Sequence, residues 1–106
     1  MFSFMQRNTV ESIDVNEMDN LFGKAEIIDI REPYEYEDGH LPTAKNIPMG
    51  TILSAPEKYL NKTKEYHIIC QSGARSSRTC GILKEYGFNI VNVLGGTGRY
   101  RGRLER

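Results

Sequence analysis

The sequence predicts an α/β fold with a mainly parallel five-stranded sheet and helices on both of its faces. Three short runs rich in isoleucine and valine, at residues 25–30, 66–70 and 90–94, are typical of strands buried in a parallel sheet. Segments with helical spacing or helix-start signals lie between these runs. Strands that alternate with helices along the chain favour a parallel sheet covered by helices.

The first elements follow from local signals near the start of the chain. A short strand is predicted near residues 11–13, and either Asp14 or Asn16 is suited to cap a short helix after it. Gly23 is expected to end that helix. Its apolar positions have helical spacing: Val15, Met18, Leu21 and Phe22.

The remaining elements complete the alternation. Helices are predicted at residues 33–38, 51–60 and 76–86, and a brief strand at 45–47 precedes Pro48. Prolines and glycines fall singly between these segments, as turns in a compact domain do. The 106 residues are therefore expected to form one domain, residues 1–106.

Composition restricts the classes of protein to consider. Hydrophobic residues make up 39% of the chain, which is enough for a folded core. No apolar run approaches the roughly 18 residues of a membrane span, and residues 1–12 lack the pattern of a signal peptide. We therefore expect a cytoplasmic protein without a membrane partner. The two cysteines are too few for a disulfide framework, so at least one is a candidate working thiol.

Charge is balanced overall but unevenly distributed. The 14 basic and 14 acidic side chains cancel, which argues against a nucleic-acid partner. Residues 1–66 carry 7 basic and 12 acidic side chains, whereas residues 67–106 carry 7 basic and 2 acidic ones. The second half could attract anions. Four of its arginines are interpreted as a solvated tail: Arg99, Arg101, Arg103 and Arg106.

The turn that begins at Cys70 is the strongest candidate for a functional site. It joins a predicted buried strand to a predicted helix, and ligands of parallel sheets bind at such junctions. Backbone N–H groups at a helix start bind anions and lower the pKa of a thiol placed there. Gly73 allows those N–H groups to converge, and Ser72 and Ser76 offer hydroxyl donors. Such a cradle suits a thiolate or a persulfide.

The charges of the following helix support this interpretation. Arg75 and Arg78 lie at the predicted helix start, where the helix dipole disfavours cations, and no acidic residue occupies the first turn. An anion supplied by a ligand or by Cys70 would compensate for the unfavourable position of these two positive charges at the helix start. Gly73, Arg75 and the predicted helix start all follow Cys70 within a few residues. This combination favours a functional role for Cys70 over that of an ordinary buried cysteine.

Four motifs in order make the chain resemble the rhodanese-like sulfurtransferases over nearly its whole length. They are Asp29-Ile-Arg31-Glu-Pro-Tyr-Glu35, Gly39-His40-Leu-Pro42-Thr-Ala44 with Asn46-Ile-Pro48, Cys70-Gln-Ser-Gly-Ala-Arg75-Ser, and Leu94-Gly95-Gly96. The resemblance implies that Cys70 accepts sulfane sulfur as a persulfide and passes it to a thiophilic acceptor such as cyanide or a thiol. It implies a sulfur held by the backbone of residues 71–75 and a loop closed by Arg75. The substrate-binding set is Gln71, Ser72, Gly73, Ala74, Arg75 and Ser76.

Supporting roles are expected for two residues near the end of the strand at 25–30. Asp29 could accept hydrogen bonds from N–H groups of the Cys70 loop and so fix its shape. Arg31 could pair with Glu35 or face an anionic substrate.

Structural roles are favoured for His40, His67 and Cys80, the last of these as a small buried side chain rather than a resolving thiol. No metal and no cofactor is expected.

Two departures from the family pattern and two other functions remain open. Gln71 occupies a position where many thiosulfate-using members have a basic residue, so another persulfide is an alternative donor, and the acceptor could include a protein. Tyr100 stands where the family commonly has Trp.

A cysteine-dependent phosphatase or arsenate reductase is one alternative function. Related phosphatases, however, have five residues between Cys and Arg, whereas this chain has four, residues 71–74. A non-catalytic binding module is the other, and the retained Cys70 argues against it.

Overall fold

All five strands of the sheet are parallel, in the order β1-β5-β4-β2-β3. The structure is a computed structural model that describes residues 9–106. The strands are β1 (Glu11–Asp14), β2 (Glu26–Asp29), β3 (Lys45–Asn46), β4 (Glu65–Ile69) and β5 (Asn89–Leu94). All five predicted strands are present, each within one residue of the predicted bounds at either end, and the predicted fold class is confirmed.

Within residues 9–106, one 3₁₀-helix and four α-helices connect these strands, and a fifth α-helix follows β5. The 3₁₀-helix spans Val15–Leu21, and the α-helices are α1 (Pro33–Asp38), α2 (Met49–Ser54), α3 (Pro56–Tyr59), α4 (Ala74–Glu85) and α5 (Gly96–Arg99). The Asp14 carboxylate caps the 3₁₀-helix by accepting from the Asn16 N–H at 2.8 Å. Val15, Met18 and Leu21 recur every third residue, which places them on one face of a 3₁₀-helix.

The single helix predicted over residues 51–60 is wrong, because the structure has two helices there. Ala55 separates them with φ −158° and ψ 71°. Pro56 follows, and the residue before a proline is disfavoured in helical conformation. The predicted helix at 76–86 is correct in type but begins two residues earlier, at Ala74.

Alternating strand residues build a core on each face of the sheet. Ile28 and Ile68 pack with α2 to α4 on one face, and Ile27 and Ile69 pack with the 3₁₀-helix on the other. Helices thus cover both faces, as predicted. Because the strands are parallel, Asp29, Cys70 and the turn after β5 meet at one edge of the sheet.

The C-terminal segment is not a free tail. The Tyr100 hydroxyl donates to Asp19 at 2.7 Å, and the Arg101 N–H donates to the Asn16 side chain at 2.8 Å. His40 and Glu105 form an antiparallel bridge through two backbone hydrogen bonds of 2.8 Å. The predicted tail arginines are exposed, but their backbone is tied to the domain. The segment could not be placed from sequence because its partners are distant in the chain.

Among the described residues, no helix has the length and apolar character needed to cross a membrane. The prediction that no signal peptide is present rests largely on residues 1–8, which lie outside the described residues.

Candidate active site

Cys70 lies immediately after β4, with its sulfur at the start of α4. The N–H groups of Gly73 and Ser76 point at Sγ, with N···S distances of 3.1 and 3.2 Å. Gly73 caps the helix with φ +110°, a conformation that favours glycine. Cys70 is only 1% exposed, so little of its surface is open to a reagent.

The surroundings of Cys70 favour its thiolate form. Burial raises the pKa of Cys70, but four groups more than offset it, and the net pKa lies below the usual value of 9.0. They are the Ser76 hydroxyl and the N–H groups of Ser76, Gly73 and Ser72. The Ser76 hydroxyl also lies 3.2 Å from the Gly73 carbonyl oxygen, and the side chain is fully buried. A helix start that stabilises an anionic sulfur is the arrangement that activates cysteine nucleophiles.

The turn after β5 supports the Cys70 loop from behind. The Thr97 N–H donates to the Cys70 carbonyl at 2.9 Å, and the Gly98 N–H donates to the Gln71 carbonyl at 3.0 Å. A Cβ at Gly96 would lie 2.6 Å from the Cys70 carbonyl oxygen, so only glycine fits there. Sequence reasoning missed Thr97 and Gly98 as positioning residues. The Gly95–Gly96 pair was the available signal.

Asp29 and Arg31 form a buried ion pair at the end of β2. The carboxylate accepts from the Arg31 N–H at 3.0 Å, from Nε at 3.0 and 3.1 Å, and from Nη2 at 2.8 Å. The expected hydrogen bonds from the Cys70 loop to Asp29 are therefore wrong, because the guanidinium two residues away occupies the carboxylate. Arg31 instead reaches the loop, since its Nη1 donates to Gln71 Oε1 at 2.9 Å.

Arg75 pairs with Glu35, which was one of the two alternatives given for Arg31. Its two Nη groups donate to the two carboxylate oxygens, each at 2.9 Å. Hydrogen bonds from Arg75 lower the pKa of Glu35 from 4.5 to about 2, and burial only partly opposes them. Arg75 follows the loop and Glu35 lies on α1, so this pair joins the loop to the opposite side of the site.

A cleft of about 360 Å³ lies above the loop. Gln71 is exposed and lines this cleft. Ser72 and Ala74, the first residue of α4, are also exposed but lie outside its lining. The walls come from α1, the turn after β5 and the C-terminal segment. The lining residues are Arg31, Glu35, Asp38, Gly39, Gln71, Thr97, Gly98, Tyr100 and Leu104.

The two histidines and the second cysteine lie in packed surroundings. The His40 Nδ1 lies 2.8 Å from the Tyr36 carbonyl oxygen and its ring stacks on Tyr36 at 3.7 Å, in line with the expected structural role. His67 is buried within β4. Cys80 is a fully buried free thiol, and burial raises its pKa to about 12.

Across residues 9–106, no group of three or more His, Cys, Asp or Glu side chains is arranged to hold a metal ion.

Fold and site together define an α/β domain with a buried cysteine at a strand-to-helix turn. The family model of the rhodanese-like domain matches residues 14–102, and the chain belongs to that family. It is 47% identical over 81 residues to YtwF of Bacillus subtilis, a protein provisionally named a sulfurtransferase, and the match covers 74% of this chain and 76% of YtwF. The resemblance found in the motifs is thus confirmed.

Two further similarities bear on fold and function. The crystal structure of SSP1007 from Staphylococcus saprophyticus superposes with a TM-score of 0.82 and 35% identity, covering 92% of this chain and all of that one. M-phase inducer phosphatase 2 of Homo sapiens is 30% identical over 90 residues, covering 77% of this chain but 16% of the phosphatase. The chain thus belongs to a family that has sulfurtransferase relatives, and it is also similar to part of a phosphatase.

Proposed function

We propose that the protein is a sulfurtransferase that carries sulfane sulfur on Cys70. The observation that carries this proposal is the pair of N–H groups, from Gly73 and Ser76, directed at Sγ from the start of a 12-residue helix. That arrangement stabilises both a thiolate and the anionic persulfide that replaces it. Membership of a family with sulfurtransferase relatives supports the same conclusion.

The reaction has two balanced half-steps. The Cys70 thiolate attacks the outer sulfur of the donor, the Sγ–S bond forms, and the donor's S–S bond breaks. With thiosulfate, sulfite leaves with the electron pair; with a persulfide R–S–S–H, the thiolate RS⁻ leaves. The acceptor, cyanide or a thiolate, then attacks the terminal sulfur of the Cys70 persulfide and regenerates the Cys70 thiolate.

The surrounding residues would bind and orient the transferred sulfur. The loop of residues 71–76 supplies the N–H groups nearest to Sγ, and Arg31 holds the Gln71 side chain. Thr97 and Gly98 keep the loop carbonyls turned away from the sulfur by donating to them. These residues position the loop, whereas Cys70 alone forms bonds to sulfur.

Mass spectrometry of the intact protein tests the proposal. After incubation with thiosulfate or with a small persulfide, we expect a gain of one sulfur that maps to Cys70 and is removed by cyanide. The Cys70→Ser variant should gain none and should lose all transfer, whereas Cys80→Ser should keep most of it. Equal losses in both variants would contradict the assignment, and no gain in wild type with either donor would favour a non-catalytic binding module.

A phosphatase is the second candidate, because the chain is related to M-phase inducer phosphatase 2. Phosphoryl transfer requires hydrogen-bond donors around three equatorial oxygens, whereas a persulfide requires the loop to bind only one terminal sulfur. The four residues between Cys70 and Arg75 suit the smaller group. Assays with an aryl phosphate and with thiosulfate plus cyanide, side by side, decide between them. Phosphate release that depends on Cys70 and exceeds sulfur transfer would reject the sulfurtransferase.

A further inference from the structure

Both arginines beside the candidate active site are already neutralised by carboxylates. Arg31 pairs with Asp29 and Arg75 pairs with Glu35, while Asp38 also lines the cleft. These residues carry two positive and three negative charges. These side chains therefore supply no net positive charge to attract a dianion such as thiosulfate.

Arg31 has little capacity left to bind an anion. Its Nε and Nη2 donate to Asp29, Nη2 also donates to the Gly39 carbonyl oxygen at 2.8 Å, and Nη1 donates to Gln71. The residue is 3% exposed. An incoming anion would have to break this set of buried hydrogen bonds, so Arg31 acts on the loop rather than on the donor.

Arg75 is held in a different way, by a residue that is itself part of the cleft. Glu35 accepts both Nη groups and also accepts from the Glu32 N–H at 3.0 Å, which completes the capping box of α1. Its pKa of about 2 keeps the carboxylate ionised throughout the physiological range. The charge that could recruit an anionic donor is thus masked by a single side chain.

We propose that Glu35 determines which donor the site accepts, by masking Arg75 and so selecting persulfides of uncharged thiols over thiosulfate. This inference rests on the proposed sulfurtransferase function and names its donor class. In the favoured first step, the Cys70 thiolate attacks the outer sulfur of R–S–S–H, the S–S bond to R breaks, and RS⁻ leaves with the electron pair. The proton of the transferred sulfur passes to the departing RS⁻, which leaves as R–S–H, and the loop N–H groups stabilise the anionic Cys70 persulfide that remains.

The test compares two donors on purified full-length protein. Donor one is thiosulfate, and donor two is the persulfide of 2-mercaptoethanol, an uncharged thiol. The variant is Glu35→Gln, whose amide oxygen still accepts the Glu32 N–H and so preserves the capping box. Glu37→Gln is the matched control, because Glu37 lies on the same helix, is exposed and does not line the cleft.

The measured quantity is the ratio of kcat/KM for thiosulfate to kcat/KM for the persulfide. Unmasking one charge beside a dianion should raise this ratio about tenfold in Glu35→Gln. Glu37→Gln should leave it within about twofold, and Glu35→Gln combined with Arg75→Ala should lose the gain. Melting curves of the variants verify that each is folded.

The outcomes separate this inference from the function on which it rests. Wild type that is loaded by the persulfide, together with a raised ratio in Glu35→Gln, supports both. Loading of wild type without any rise in the ratio, or an equal rise in Glu37→Gln, overturns the role of Glu35 alone. Failure of wild type to acquire sulfur on Cys70 from either donor overturns the proposed function itself.

Discussion

Asp29 is the most deeply buried charge of the site, and its surroundings decide what a substitution there would cost. The residue has no exposed surface, and its partner Arg31 is 3% exposed. Burial of such a pair removes both charges from water, so the pair adds little net stability. Removal of one partner is different, because it leaves the other charge buried without compensation.

We therefore predict that Asp29→Ala lowers the free energy of unfolding by about 3–5 kcal/mol. Urea denaturation followed by circular dichroism measures it. The exposed Asp38 provides the control, and Asp38→Ala should change the free energy of unfolding by about 0.5 kcal/mol or less. Similar values for the two variants would show that Arg31 finds another partner or water when Asp29 is absent.

The short helix α5 holds the Cys70 loop in place through backbone hydrogen bonds. Gly95 and Gly96 have φ values of +85° and +66°, which turn the chain back toward the Cys70 loop. That turn brings two N–H groups, from Thr97 and Gly98, within 3.0 Å of the loop carbonyls. The four-residue helix thereby fixes the conformation in which the loop N–H groups face the sulfur.

Gly96→Ala is expected to disrupt this contact. The added Cβ would collide with backbone atoms of Cys70 and Gln71, and the left-handed φ is itself strained for alanine. We predict a loss of at least ~2 kcal/mol in unfolding free energy and a slower loading of Cys70 with sulfur.

Gly81→Ala is the matched control for that substitution. Gly81 lies inside α4, and a Cβ there meets no atom within 4 Å. This variant should gain about 0.5–1 kcal/mol, since alanine is the better helix former. Differential scanning calorimetry and intact-mass measurement of both proteins provide the comparison. Equal stability of the two variants would contradict the close approach of Gly96 to the loop.

At the scale of the whole molecule, the Glu35–Arg75 pair joins two segments that are 40 residues apart in sequence. It connects α1, which follows β2, to α4, which follows β4, and its Glu35 lines the cleft. The side chain of Arg75 is 37% exposed and that of Glu35 is 20% exposed. Solvent therefore screens the pair, and its contribution is about 1 kcal/mol or less.

The pH dependence of stability should reveal this pair. Because the pKa of Glu35 is lowered from 4.5 to about 2 on folding, the pair stabilises the folded state above pH 4.5. That contribution is lost as pH falls from 4.5 toward 2. The difference in unfolding free energy between wild type and Glu35→Gln should shrink over this range, as measured by urea titration at each pH. A difference that stays constant, or one reproduced by Glu37→Gln, would argue against a folded-state ion pair.

Local sequence determined most of the secondary structure and the position of the candidate nucleophile, Cys70. The runs at β2, β4 and β5 are rich in isoleucine and valine, which favour strands over helices and turns. The length of each run matches a strand buried on both faces. Cys70 follows such a run and precedes a glycine and a helix, so its place at a strand-to-helix turn required no knowledge of distant contacts. The interruption between α2 and α3 was also encoded locally, by Pro56, but helical spacing across it masked the break.

Tertiary structure alone decided which charges meet and what surrounds the loop. Glu35 was a plausible partner for Arg31, four residues away, until the fold placed Arg75 opposite it and left Arg31 to Asp29. Thr97 and Gly98 became positioning residues only because β5 lies beside β4 in the sheet, which brings the turn after β5 against the Cys70 loop. The physical reason is the same in each case: backbone propensity acts over a few residues, whereas an ion pair or a hydrogen bond forms between whichever groups the packed sheet brings together.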